Sequence, residues 1–178
     1  MKDFCIRKAT EKDLESLYQI EVSATRLYVR AGFNEAEVTP RSLENLTRLL
    51  NETKVFVAEY SKGVAMGYVS FRLYGSYFHL EEISVAEAFR NKGIGRALLC
   101  FYIESGANHD ACKGYSLTVF NKAIWAVNLY KNAGFRPLNQ MRDFPCPEVV
   151  AQIIEQDRKA GLDISQRTTM IKLIREER

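Results

Sequence analysis

Histidine is nearly absent from this sequence: His79 and His109 are its two copies, and its four cysteines, Cys5, Cys100, Cys112 and Cys146, are widely scattered. No pair of cysteines has the close spacing of a metal-ligand set, so no metal is expected. They read as reduced, partly buried thiols rather than a disulfide framework. A Cys–His nucleophilic pair has little material to draw on. No apolar run approaches the roughly 18 residues that read as a bilayer span. The opening Met1-Lys2-Asp3-Phe4-Cys5-Ile6-Arg7 is too polar for a secretory signal. The expectation is a cytoplasmic protein with no membrane partner. Repeats, low-complexity tracts and Gly/Ser/Pro linkers are missing too, and 178 residues suit a single domain over 1–178. The net charge of +3 is too small to argue for nucleic acid, and no such partner is expected. What positive charge there is gathers locally at Arg90, Lys92 and Arg96.

What is present is a clear run of elements. Phe4 to Lys8 reads as a strand. Thr10 with Asp13 three residues on is an acidic variant of the capping box. The helix it opens carries Leu14, Leu17, Tyr18, Val22 and Thr25 at helical spacing. Residues 28–39 read as irregular, and Pro40 as the start of a second helix through Leu43, Leu46 and Leu50. Strands follow at Val55–Tyr60, Val64–Tyr74 (with glycine at 67) and Tyr77–Val85, with a turn signal at Ser61-Lys62-Gly63. Ile94, Ala97, Leu98 and Phe101 then repeat at i, i+3, i+4 and i+7, so a helix begins near Gly93 and runs to about Ser105-Gly106. Tyr115–Phe120 is a strand. Ala123, Ala126, Val127 and Tyr130 mark a helix that Gly134 ends, and Phe135 enters another strand. Pro147 to Ala160 reads as an additional helix and Thr168 to Ile174 as a last strand. The sum is an α+β or α/β single domain, a meander followed by strand–helix–strand–helix–strand.

The connector after Val85 has the chemistry of a phosphate cradle. A helix start offers unpaired N–H groups and partial positive charge, and such an end binds phosphate. Gly93 and Gly95 let the backbone approach a ligand. Asn91 tolerates a left-handed conformation. Arg90, Lys92 and Arg96 add cationic donors. The Walker spacing Gly-x-x-x-x-Gly-Lys-Ser/Thr is absent, and Gly93-Ile94-Gly95 has Leu98 where a dinucleotide fingerprint needs its third glycine. Two glycines at a helix start are common, and alone they specify nothing further.

The surroundings carry more. Leu80-Glu81-Glu82-Ile83-Ser84-Val85, then Arg90-Asn91-Lys92-Gly93-Ile94-Gly95-Arg96-Ala97-Leu98-Leu99, resembles the central motif of the GNAT superfamily of N-acetyltransferases, Arg/Gln-x-x-Gly-x-Gly/Ala between a strand and a helix. Downstream, Leu117-Thr118-Val119 and then Ala126-Val127-Asn128-Leu129-Tyr130-Lys131-Asn132-Ala133-Gly134-Phe135 resembles the family's strand–helix–Gly-Phe motif. The two occur in the family's order, and the elements from Phe4 to Phe135 follow its topology. One position departs: the family usually has Asn seven residues before the motif tyrosine, and here that residue is Ala123, with Asn121 and Asn128 nearby.

The resemblance implies a mixed, mostly antiparallel central sheet flanked by helices and splayed between strands 4 and 5. It implies acetyl-CoA as co-substrate and direct transfer of its acetyl group to an amine. Donor contacts would come from Ile83, Ser84, Val85, Arg90, Asn91, Lys92, Gly93, Ile94, Gly95, Arg96 and Ala97, with Asn121 or Asn128 near the pantetheine arm. The side chains of Ile83 and Val85 are expected in the core, leaving only their backbones for the donor. Tyr130 would be the general acid for the leaving thiolate: a tyrosine hydroxyl has a reference pKa of about 10. Its bland alternative is an aromatic on an amphipathic helix. Glu81 and Glu82 point to opposite faces of their strand. Glu81 shares parity with Ile83 and Val85 and is preferred as base, directly or through water, with Glu82 second; both could equally be solvated. His79 has a suitable pKa for a base but reads as surface. Segment 26–38, with Arg26, Tyr28, Arg30, Phe33, Glu35 and Glu37, and the region Tyr74–Phe78 would form the acceptor site. Three acceptor readings stand: a small-molecule amine, preferred; a peptide or protein amine (N-terminus or lysine); and, outside the enzymes, a non-catalytic acetyl-CoA sensor or interaction module. The helix 147–160 could shape the acceptor pocket, cover a homodimer surface, or simply pack.

Overall fold

The structure is a computed structural model that describes residues 4–60, 63–138, 147–159 and 163–174. Cys146, Ser61, Lys62 and Ala160 lie outside the described residues. The chain divides into two compact units, Met1–Arg72 with Leu80–Ser105, and Leu73–His79 with Gly106–Arg178.

The first unit begins with β1, Phe4–Lys8, then α1, Leu14–Arg30, entered through a one-turn helix at Glu11–Asp13 with the expected Thr10/Asp13 capping box. Helix α1 is longer than the sequence suggested. It takes in Tyr28 to Arg30 and stops where Gly32 turns left-handed at φ +88°. The supposedly irregular segment is ordered around Phe33, which is buried and meets Tyr28 edge-on at 5.3 Å. Helix α2 spans Leu43–Glu52. It starts at Ser42 rather than Pro40, because the Ser42 hydroxyl accepts the Asn45 N–H at 3.2 Å. Strands β2, Lys54–Tyr60, β3, Val64–Tyr74, and β4, Tyr77–Val85, follow, and the unit's strand order is β1-β2-β3-β4. Strands β1 to β3 pair antiparallel, with one register shift opposite Ala58/Glu59, where Met66 is skipped. Strand alternation sends β2 side chains to both faces. Val55 and Val57 join Leu17, Ile20, Leu46, Leu49 and Tyr68 in a core under α1 and α2. Phe56 points the other way, against Phe71 and against Phe101 of α3, Ile94–Ala107.

The second unit takes the start of β4 and adds β5, Gly114–Phe120, α4, Ile124–Asn132, β6, Arg136–Pro137, α5, Pro147–Lys159, and β7, Arg167–Leu173. Its strand order is β4-β5-β7-β6. The β5–β7 and β6–β7 ladders are antiparallel. β4 and β5 run parallel: the Lys113 N–H donates to the Ser76 carbonyl at 2.7 Å, and three residues further along both chains His79 Nδ1 lies 3.0 Å from Ser116 Oγ. Val149, Val150 and Ile153 of α5 pack on Tyr77 and Ile171. Full burial of such side chains stabilises by roughly 1.5–3 kcal/mol each, so α5 is part of this unit's core. Counted over both units, the fold is the mixed, mostly antiparallel sheet with helices that the sequence implied.

The N-terminal strand is held by charge. Arg7 donates to both oxygens of Asp13, at 2.8 and 3.0 Å, and also to Glu59. The Arg7 guanidinium, helped by the N–H and hydroxyl of Thr10, holds the Asp13 carboxyl below the usual carboxylate range. A carboxyl depressed on folding stabilises above its unfolded pKa of about 3.9, and that contribution fades as pH falls through the folded value. Asp13→Asn is expected to cost about 1–2 kcal/mol at pH 7, the scale of a charged hydrogen bond. In urea unfolding the gap to wild type should close below about pH 4. A gap that stays constant to acid pH would refute this account.

Candidate active site

In the first unit the residues after β4, where a phosphate cradle is expected, turn the chain into α3. Glu87–Phe89 make one helical turn, and the chain reaches α3 through Asn91 at φ +60° and Gly93 at φ +79°. Asn91 is the sole non-glycine residue with positive φ among the described residues. Left-handed backbone costs an L-residue roughly 1–2 kcal/mol, which asparagine and glycine bear best. The first helical bond of α3 runs from the Ala97 N–H to the Gly93 carbonyl at 2.9 Å. The N–H groups of Ile94, Gly95 and Arg96 therefore precede any intrahelical partner. Asn91, Lys92, Gly93 and Arg96 are exposed, while Ile94 and Ala97 are buried and anchor the turn. Lys92 Nζ stands over the Phe89 ring at 5.3 Å. The arrangement fits a phosphate group: open N–H donors, a helix end and cationic side chains.

The end of β4 lies against two glycines. A Cβ at Gly67 would meet the Ser84 carbonyl oxygen at 2.7 Å and the Val85 Cα at 3.2 Å; one at Gly95 would meet Val85 Cγ2 at 3.7 Å. Gly67 lets β3 approach β4 closely, a role that a lone glycine inside a strand signals. Ile83 and Val85 are half-buried rather than in the core, and Ser84 is the buried one of the three.

Neither predicted carboxylate is simply solvated. Glu81 pairs with Arg72, Nε to Oε1 2.5 Å. Glu82 accepts from Ser84 Oγ at 2.9 Å and from Arg41 at 3.0 Å. Arg41 also bonds Glu21 of α1, so residues sequence reasoning passed over are tied to a candidate base. Arg30 of the expected acceptor segment pairs with Glu87, and the Ser23 hydroxyl accepts the Glu87 N–H at 2.8 Å.

The remaining predicted residues belong to the second unit. Tyr130, 8% exposed, sits in the last turn of α4, with its ring edge-on to Phe135 at 6.1 Å. Gly134 at φ +90° turns the chain so that Phe135 returns to it. Asn121 is exposed, but its side-chain oxygen accepts the Thr168 hydroxyl and its N–H donates to Gln166. Asn128 is exposed on α4, and Ala123, in the family's asparagine position, is wholly buried. His79 is not surface: it is 4% exposed, with Tyr74 at 5.8 Å beside it and the Ser116 contact already described. Among the described residues no group of three His, Cys, Asp or Glu could hold a metal, and no helix is long and apolar enough to cross a membrane.

The profile of the acetyltransferase (GNAT) family matches residues 14–135, and the chain belongs to that family. It is an acyltransferase, and acetyl-CoA is the co-substrate of the family. The fold is similar to that of the ribosomal-protein-S18-alanine N-acetyltransferase from Escherichia coli, with TM-score 0.68, 18% identity, and 98% of this chain and 97% of that one covered. A ribosomal-protein-alanine N-acetyltransferase from Brucella melitensis aligns with TM-score 0.65 at 24% identity, over 96% and 99% of the two chains. The PaiA N-acetyltransferase from Thermoplasma acidophilum, solved with coenzyme A, aligns with TM-score 0.72 at 14% identity over 96% and 99%.

Proposed function

We propose that residues 1–178 act as one N-acetyltransferase domain that moves an acetyl group from acetyl-CoA directly to the primary amine of a small molecule. The observation that carries this reading is the turn Asn91–Gly93: two left-handed residues open α3 towards solvent with its N–H groups unspent. The backbone of Ile83–Val85 pairs with the pantetheine amides, and an N–H near Val85 polarises the thioester carbonyl. The amine nitrogen attacks the carbonyl carbon as the C–S bond breaks. Glu81 or Glu82 takes the amine's proton, directly or through water, and Tyr130 gives one to the thiolate sulfur. Asn128 is the more available amide for the pantetheine arm, because Asn121 already serves Thr168.

A small acceptor is supported by the α1–α2 segment. Phe33 is buried in it, and the Thr25 hydroxyl donates to the Val38 carbonyl at 2.9 Å, folding the segment back on α1. The chain works in the cytoplasm without nucleic-acid or membrane partners, and a homodimer remains compatible with this reading.

The test pairs a thermal shift with acetyl-CoA and a thiol-release assay on butylamine, 1,4-diaminobutane, alanine amide, an alanine-initiated peptide and a lysine peptide. Stabilisation by acetyl-CoA is required, because a ligand that binds only the folded state must raise its stability. Turnover confined to the three small amines is the expected result. Faster turnover of either peptide would replace the small-molecule reading, and binding without turnover of any amine would leave a sensor.

A further inference from the structure

Five polar side chains of the first unit form one connected chain beneath β4. The Tyr68 hydroxyl donates to Glu21 Oε1. The Arg41 backbone N–H donates to Glu21 Oε2 at 2.6 Å, and its Nη1 donates to Glu21 Oε1 at 2.6 Å and to Glu82 Oε2 at 3.0 Å. Ser84 Oγ donates to Glu82 Oε1 at 2.9 Å. Tyr68 is wholly buried and Glu21 is 5% exposed. Burial first, and then the charge of Glu21, push the Tyr68 hydroxyl well above its ordinary value, so it stays a proton donor.

Burying charges is costly unless they are paired and hydrogen-bonded. A guanidinium shared between two carboxylates compensates one of them. Glu21 takes three donor bonds, from Arg41 N–H, Arg41 Nη1 and Tyr68. Glu82 shares Nη1 and adds one neutral hydroxyl, and its side chain is 27% exposed against 6% for Glu21. The surplus negative charge therefore faces outward at Glu82, one residue before Ile83–Val85. Arg41 also ties three stretches of chain together: α1 through Glu21, the approach to α2 through its own backbone, and β4 through Glu82.

We infer that Arg41 is a positioning residue for acetyl transfer: it fixes Glu82 in one orientation with the cluster's surplus negative charge, and Glu82 so held receives the acceptor as a cationic amine. This rests on the reading that the end of β4 meets the thioester. Arginine suits the place because its guanidinium is planar and weakly hydrated and stays charged when buried, so Nη1 keeps a fixed direction towards both carboxylates, whereas a lysine ammonium is a flexible, strongly hydrated point charge.

Arg41→Lys and Glu82→Gln are each expected to raise the KM for the fastest amine of the panel above tenfold or more, with the KM for acetyl-CoA changed less than twofold. Because Arg41 acts through Glu82, the double variant should be within twofold of Glu82→Gln alone. Should Arg41→Lys fail to fold, Glu82→Gln still decides, since it leaves the Arg41–Glu21 pair intact; folding is checked in every variant by the acetyl-CoA thermal shift. The inference is overturned by an unchanged amine KM in Glu82→Gln, by equal changes in both KM values, or by multiplicative losses in the double variant. A wild type that binds acetyl-CoA but acetylates no panel amine overturns the proposed activity and this inference with it. A wild type that acetylates amines while these variants match it overturns this inference alone.

Discussion

Tyr130→Phe is expected to lower kcat about a hundredfold or more, the lower part of the range for a positioned general acid. The thiolate departs when the C–S bond breaks, and a phenylalanine ring has no proton to give it. Packing does not explain such a loss. Phenylalanine keeps the edge-on contact with Phe135, and the backbone bond from the Phe135 N–H to the Tyr130 carbonyl at 3.1 Å does not involve the side chain. Losing one side-chain hydrogen bond costs about 1 kcal/mol, a modest change in melting temperature. The expected pattern is thus a fallen kcat, an unchanged KM for acetyl-CoA and a folded protein, the signature of an interaction made only in the transition state. Thiol release measured across pH checks it. Turnover equal to wild type at every pH would remove Tyr130 from the chemistry and leave it as packing between α4 and Phe135.

The two proposed activity determinants differ in how far they could be read from the chain. Tyr130 and the turn at Asn91–Gly95 are local features. A glycine after a strand, a left-handed asparagine and a Gly-Phe at a helix end each declare themselves within a few residues, and strands β1, β3 and β4 have the bounds the sequence suggests. Glu82's setting is not local. Glu21, Arg41 and Tyr68 come from α1, the α1–α2 connection and β3, and no periodicity links an arginine before a helix to a carboxylate 41 residues later. Arg72 and Glu81 hide in the same way, each reading alone as a solvated strand residue. The burial of His79 depends on Ser116, 37 residues away, and on Tyr74. Helix α2 starts later than Pro40 for a local reason: proline favours the first helical position and serine the N-cap, and the cap at Ser42 sets the first helical residue at Leu43.

Gly67→Ala is expected to damage binding and catalysis together, although residue 67 carries no chemistry. The added methyl would stand 2.7 Å from the Ser84 carbonyl oxygen and 3.2 Å from both Cα and Cγ2 of Val85. Most of what it meets is backbone, which cannot rotate away as a flexible side chain can. Relief requires β4 to move at Ser84-Val85, the stretch proposed to hold the thioester. Val85 in turn lies next to Gly95, 3.7 Å from where a Cβ would be, so the shift reaches the first turn of α3. Overpacking of this kind costs about 1–3 kcal/mol of stability. A displacement approaching an ångström at a reacting centre can cost about a hundredfold in rate. Calorimetric titration with acetyl-CoA and the thiol-release assay should therefore both report losses, with kcat/KM falling further than stability accounts for. If Gly67→Ala bound acetyl-CoA as wild type does and turned over normally, the end of β4 would not be the donor's edge, and the role given to Glu82 beside it would lose its ground.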